Sequence, residues 1–317
     1  MQFKHILFAT DFSDPSLALK GEVQWLANRF GSTLTLMHVL EVPPVWYAGM
    51  DCGYAVLDSI QTLADGAKDR LSGLVVDVPQ GRVRRVFTKG DVAGEIAAYT
   101  KLHDVDLIVM GTHGYGRLRT LLSGSTFGKV LHDVSVPVWT AAHNNDCCRC
   151  RPVVSKILCA VELTNEALPL LHTVSTLAEA FSAQVRIVHA VPGPETRPNK
   201  YFDFDLHRYL LDTARVEMCS LQRAAGTAFP LTVASSCISR AIADTAADFG
   251  CDLVVIGRGK AQAGLARLRT HAYDIIRQAP CPMLSVVSQD HTSSSCNAEH
   301  HAQFEADEQP RTDCLTT

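Results

Sequence analysis

The chain has 317 residues, 47% hydrophobic and 20% charged, with a formal net charge of −4, the balance of a folded protein long enough for two domains. The near-neutral charge, without a basic stripe, excludes an electrostatic footprint for nucleic acid, and apolar runs such as Leu34–Met37 are far shorter than a bilayer-crossing helix requires. In chain order, Ile6–Ala9 reads as a short buried strand and Pro15–Phe30 as a helix with apolar positions at Leu17, Val23, Leu26, Ala27 and Phe30, stopped by Gly31. Thr33–Val39 is a second buried strand, Asp58–Leu74 a helix, and Arg82–Phe87 a third strand. Helix Gly94–Leu102, strand Asp106–Met110, helix Ser125–Val134 and strand Val136–Ala141 complete the first half. Strands alternating with helices at this spacing predict an α/β domain, a doubly wound parallel sheet covered on both faces.

The chain then repeats itself. At an offset of 151, Lys4-His-Ile-Leu-Phe-Ala-Thr-Asp11 lies over Ser155-Lys-Ile-Leu-Cys-Ala-Val-Glu162, and His38 falls on His189. Asp106-Leu-Ile-Val-Met-Gly111 matches Asp252-Leu-Val-Val-Ile-Gly257 at 146, and Val136-Pro137-Val138 matches Cys281-Pro282-Met283 at 145. Two tandem domains are expected, over 1–142 and 153–288, joined by a polar linker over 143–152 that contains a proline. Residues 289–317 carry six acids and one base among Ser, Thr and His and read as a disordered acidic tail. The start of the chain lacks the charged opening, apolar stretch and small-residue cleavage site of a signal peptide, so a cytoplasmic location is expected. The eleven cysteines are odd in number and lack a framework spacing, which predicts thiols in a reducing compartment. Cys147-Cys148-Arg149-Cys150, with His143 and Asp146, offers soft ligands but matches no standard zinc spacing.

The pattern with most chemical content follows the fourth strand: Gly111-Thr112-His113-Gly114, nine residues, then Gly124-Ser125-Thr126. In open parallel sheets, ligands bind beyond the carboxyl ends of the strands. Glycines allow close backbone approach, and a helix start offers N–H groups and a positive dipole end, so phosphate is the expected guest. Asp11, at the end of the first strand, suits a ribose hydroxyl or a metal bridging phosphates; the competing reading is a cap for the helix beginning near Pro15. His113, Arg117 and Arg119 lie in the loop as candidate phosphate partners. Gly124-Ser-Thr-Phe-Gly-Lys129 is one residue short of a P-loop and has Val130 where a hydroxyl is needed, and no glycine directly follows the first strand as a Rossmann site would require.

At these residues the chain resembles the universal stress protein family, in its tandem-domain form, over nearly all of 1–288. The markers are Ile6–Asp11, His38-Val39, Asp106–Gly114, Gly124-Ser125 and Val136–Val138. The resemblance implies five-stranded parallel sheets in the order 3-2-1-4-5, domains paired through their fifth strands (Val136–Ala141 with Met283–Val287), and ATP held by the Gly-x2-Gly-x9-Gly-Ser/Thr loop. Carried over by position, Thr10, Asp11 and Val39 would line the adenosine, and Met110, Gly111, Gly114, Gly124, Ser125 and Thr126 would hold ribose and phosphates; a divalent metal such as magnesium on the phosphates is an open accompaniment of that reading, with no protein site assigned to it.

In the second half, the third glycine of the loop is replaced by Arg269, and Glu162 stands where Asp11 does. ATP is therefore not expected there, although Arg258, Lys260, Arg267 and Arg269 leave the segment basic. The leading expectation is a stress-response protein that binds ATP in its first domain, hydrolyses it weakly at most, and regulates an unidentified protein partner through its bound state. The alternative is an interaction or redox-responsive protein that uses its paired domains, its cysteines and a homodimer contact.

Overall fold

The computed structural model describes residues 2–41, 53–111, 126–140, 153–193, 203–258, 274–276 and 278–287. They fall into two compact units, one within Phe3–Val134 and one within Ser135–His291.

In the N-terminal unit, apolar runs without alternation become strands buried on both faces, as parallel sheets demand. Strands β1 (His5–Ala9), β2 (Thr33–Leu40), β3 (Val83–Lys89) and β4 (Leu107–Met110) lie in the order β3-β2-β1-β4, all parallel. Ile6, Leu7 and Phe8 of the central strand are fully buried, with Leu34, Leu36, Leu107, Ile108 and Val109 of its neighbours. The helix expected over Pro15–Phe30 is two: α1 (Asp14–Ala18) and α2 (Lys20–Phe30). Leu19 closes the first and opens the second, with its N–H bonded to the Ser16 carbonyl. Leu19 is itself fully buried, so the break continues the apolar face and leaves no polar signal in the sequence. Three more helices follow: α3 (Gly53–Gly73), α4 (Val92–Leu102) and α5 (Thr126–Asp133). Asp91 caps α4, accepting from the Gly94 N–H at 3.0 Å.

The C-terminal unit contains β5 (Val138–Thr140), β6 (Lys156–Ala160), β7 (Gln184–Val191), β8 (Leu231–Ser235), β9 (Leu253–Arg258) and β10 (Met283–Val287). Their order is β5-β10-β9-β6-β7-β8, with helices α6 (Ala167–Phe181), α7 (Phe204–Ala224) and α8 (Ile238–Phe249) between the strands. All pairs but one are parallel. The exception is β5 against β10, where Thr140 faces Met283 and Val138 faces Ser285 antiparallel. The two fifth strands of the repeat thus pair, and Trp139 is buried between its neighbours at 1% exposure.

The repeat extends to its fastenings. The Asp106 carboxylate accepts from the backbone N–H groups of Lys4 and His5 at 2.7 and 2.9 Å. Asp252 does the same for Ser155 and Lys156 at 2.9 and 3.0 Å. Each acid anchors the start of the central strand to the start of the fourth.

Candidate functional site

The carboxyl edge of the sheet, where the sequence pattern leads one to expect a ligand, begins where β1 ends. Thr10 continues the ladder, its N–H donating to the Met37 carbonyl at 2.9 Å. Its buried hydroxyl then takes over the next turn: Oγ1 accepts from the Phe12 N–H at 3.0 Å and from Ser16 Oγ at 3.0 Å. The consequence is visible at Phe12, which holds a left-handed backbone with φ 60°, a conformation costing a bulky residue roughly 1–3 kcal/mol. Three further contacts offset that cost. The Phe12 ring lies 4.6 Å from the His38 imidazole, the Arg70 guanidinium covers the ring at 4.6 Å, and Arg70 Nη2 donates to the Phe12 carbonyl at 3.1 Å.

His38 fastens the turn from the neighbouring strand. Its Nδ1 lies 2.8 Å from the Thr10 carbonyl; a carbonyl only accepts, so Nδ1 carries the proton and Nε2 is left as the acceptor. Burial pushes the His38 pKa below its ordinary value, against the Thr10 hydrogen bond and the Asp11 charge, with Arg70 adding to the downward push. A neutral ring suits this packing, with Phe87 stacked 6.2 Å away.

Asp11 is exposed, and Ser13 is the residue that caps α1. The capping role offered for Asp11 is therefore filled by its neighbour. Asp11 instead organises that cap, with Oδ1 accepting from the Ser13 N–H at 3.0 Å and from Ser13 Oγ at 2.6 Å. Its Oδ2 takes neither bond. Register places the remaining residues: Ala9 faces Met37 on one side and Met110 on the other, so Thr10-Asp11, Val39 and Met110-Gly111 share the carboxyl edge of three adjacent strands. Val39 is half-buried and Met110 buried. Thr126 opens α5, a separate element, whose Lys129 reaches Asp91 on the cap of α4 at 3.2 Å. His113, Gly114, Arg117, Gly124 and Ser125 lie outside the described residues, as do Arg119 and the cysteines of 147–150.

Phe12, Ser13, Ser16, His38 and Arg70 shape this turn although the glycine pattern does not point to them. Only His38 left a usable signal, its match to His189 across the repeat. Among the described residues no group of three or more His, Cys, Asp or Glu side chains could hold a metal ion, and no described helix is long and apolar enough to cross a membrane.

The corresponding edge of the C-terminal unit keeps the frame and loses the turn. The Val161 N–H donates to the Val188 carbonyl at 3.0 Å, and His189 Nδ1 reaches the Val161 carbonyl at 2.8 Å. Valine has no hydroxyl to bind the N–H two residues on. Instead the Thr164 N–H turns back to the Glu162 carbonyl at 2.9 Å, and Leu163 is not among the left-handed residues. Arg258, expected to keep this edge basic, is corrected by the structure: it ends β9 with 3% exposure and donates from Nη2 to the Val136 carbonyl at 2.8 Å. That guanidinium is committed to holding the start of β5. Lys260, Arg267, Arg269 and Thr270 lie outside the described residues.

The universal stress protein family model matches residues 2–141 and 154–286. A curated relative, universal stress protein A homolog 1 of Coxiella burnetii, is 33% identical over 132 residues, covering 42% of this chain and 91% of that protein. Among solved structures, a universal stress protein from Archaeoglobus fulgidus is 19% identical and covers 92% of this chain and 98% of that one with a TM-score of 0.62, a likeness of fold. Another universal stress protein from Archaeoglobus fulgidus, in complex with dAMP, is 21% identical and covers 43% of this chain and 99% of that one with a TM-score of 0.30.

Proposed function

The chain belongs to the universal stress protein family in tandem form, and from that premise we propose that its first domain binds ATP and that the bound state regulates association with a protein partner in a stress response. The observation that carries this reading is the Thr10–Ser13 turn. It spends backbone strain at Phe12 to present the exposed Asp11 beside Val39 and Met110-Gly111, at the strand edge where such folds take ligands. In this reading Asp11 Oδ2 receives a ribose hydroxyl, and the segment from Gly111 through Gly114, Gly124, Ser125 and Thr126 cradles the phosphates, with His113 and Arg117 beside them. Magnesium would be held chiefly by the phosphate oxygens, with Asp11 as its protein neighbour. The reading is one of binding more than turnover, in a cytoplasmic protein whose two halves use the position differently.

Isothermal titration of the full chain with ATP and magnesium tests it, beside a Gly124→Arg variant that imitates Arg269 of the second half. Saturation near one ATP per chain, lost in the variant, is the expected result. No heat with the wild type overturns the reading in favour of a non-nucleotide interaction protein. Two ATP per chain would overturn the assignment to the first domain alone.

A further inference from the structure

Two cysteines that the nucleotide reading leaves unused meet at the opposite edge of the C-terminal sheet. Cys251 precedes β9 and Cys281 precedes β10, and their sulfurs lie 3.3 Å apart. Neither belongs to a disulfide. The approach is fixed by the backbone on both sides. Gly250, left-handed at φ 61°, ends α8 and lets the Cys251 N–H bond the Ala246 carbonyl at 3.1 Å. The next residue, Asp252, donates its N–H to the Lys156 carbonyl at 2.8 Å, and the Val254 N–H takes the Pro282 carbonyl at 3.0 Å. The two thiols thus stand at the starts of adjacent parallel strands, each 4–6% exposed, shielded but not sealed.

The repeat gives a control built into the same chain. The positions matching Cys251 and Cys281 in the first half are Val105 and Val136. The repeat thus fills both positions with valine, so its sequence pattern does not call for thiols there.

We propose that Cys251 and Cys281 are a redox-active dithiol that closes to a disulfide when the protein meets a hydroperoxide. A disulfide needs the sulfurs at about 2.05 Å, so they must close by roughly 1.3 Å, a distance within reach of side-chain rotation. In the first step one thiolate attacks the peroxide oxygen and the O–O bond breaks, leaving a sulfenic acid and releasing an alcohol, or water from hydrogen peroxide. In the second, the other thiol displaces the sulfenic hydroxyl as water and the S–S bond forms. Two thiols lose two electrons and two protons, and the peroxide is reduced. The bond ties β9 to β10 and closes residues 251–281, the stretch corresponding to the glycine loop of the first half, into a covalent ring.

The whole 317-residue chain is treated with hydrogen peroxide, alkylated under denaturing conditions, digested and mapped by mass spectrometry. Exposed Cys219 and Cys237 report that the oxidant has acted. The expected product is a Cys251–Cys281 linked peptide, two hydrogens lighter than its parts, in most molecules and reversed by dithiothreitol. In Cys251→Val and Cys281→Val variants the partnerless thiol should be trapped as a sulfenic acid by dimedone in at least one of the two. If both thiols remain fully alkylatable while Cys219 and Cys237 have reacted, or if they bond to other cysteines, the proposal fails. Dimedone labelling in neither variant overturns the sulfenic route. None of these readouts involves nucleotide, so their outcome is separable from that of the titration.

Discussion

The turn after β1 and its counterpart after β6 start from the same hydrogen bonds and end in different backbones. In both, the residue following the strand continues the ladder and offers its carbonyl to a histidine of the next strand. In the first half that residue is Thr10, whose hydroxyl gathers the Phe12 N–H and Ser16 Oγ. In the second it is Val161, and the chain takes a different path through Glu162 and Thr164. The two segments differ at each of the four positions that follow the strand, Thr10-Asp11-Phe12-Ser13 against Val161-Glu162-Leu163-Thr164, and the hydroxyl that gathers the Phe12 N–H is present only in the first. A duplicated domain can keep its sheet, its strand anchors and its histidine clamp without the strained turn at the carboxyl edge, because the sheet depends on apolar burial and the turn on a few specific side chains, Thr10, Asp11 and Arg70 among them.

Exchange of Thr10 for valine, the residue of the second half, should sharpen this contrast most. The shape is conserved, but two buried donors lose their acceptor, at about 1–3 kcal/mol for each one left unsatisfied, and the left-handed Phe12 loses a support. Urea denaturation should register that loss, and ATP titration should weaken in parallel. Unchanged affinity would mean that the turn does not shape the site.

A smaller effect is expected at the first helix ends, where Gly31 and Ser182 occupy equivalent places, both left-handed, at φ 65° and 56°. No atom lies within 4 Å of a Cβ built on Gly31, so only the backbone conformation distinguishes the two. Ser182→Gly should stabilise by roughly 0.5–1 kcal/mol and Gly31→Ser should cost about the same, after glycine's extra chain entropy is subtracted. Thermal melts of the pair should shift in opposite directions.

The smallest effect concerns acidity. Burial holds His38 below its ordinary value of 6.5 in the folded chain, so the unfolded chain binds the proton more readily. Its contribution to stability is complete above about pH 6.5 and is lost as pH falls from there through the folded value. His38→Asn keeps a donor toward the Thr10 carbonyl without a titrating ring. Its stability should vary less between pH 7.5 and 5.5 than that of the wild type, whatever the absolute change from lost stacking.

The sequence discloses the sheet readily, because continuous apolar strands such as Ile6–Ala9 and Leu107–Met110 are what a doubly covered parallel sheet requires, and the same segments recur in the repeat. It discloses less of the carboxyl edge. Asp11 is placed at the carboxyl edge by its position after the strand, but nothing in Thr10-Asp11-Phe12-Ser13 signals a left-handed phenylalanine, since the usual glycine or asparagine is absent and a threonine hydroxyl accepts the Phe12 N–H instead. Arg70 reaches Phe12 across 58 residues, and Cys251 meets Cys281 across 30. Such meetings depend on strand order, which spacing alone does not encode. Arg258 misled for a related reason: a cation after a strand reads as a solvent-facing loop residue, yet here a carbonyl before β5 draws it inside.

The antiparallel pairing of β5 with β10 also orders events during synthesis. Thr140 donates to the carbonyl of Met283, 143 residues further on. A ribosome adding about 5–20 residues per second needs roughly 7–30 s to deliver that partner. Throughout that interval the nascent first half carries a strand, with Trp139 on it, whose β10-facing edge has nothing to bind. Chaperone capture or mispairing with a neighbouring nascent chain would find its opening there, and it closes only when the end of the second half emerges.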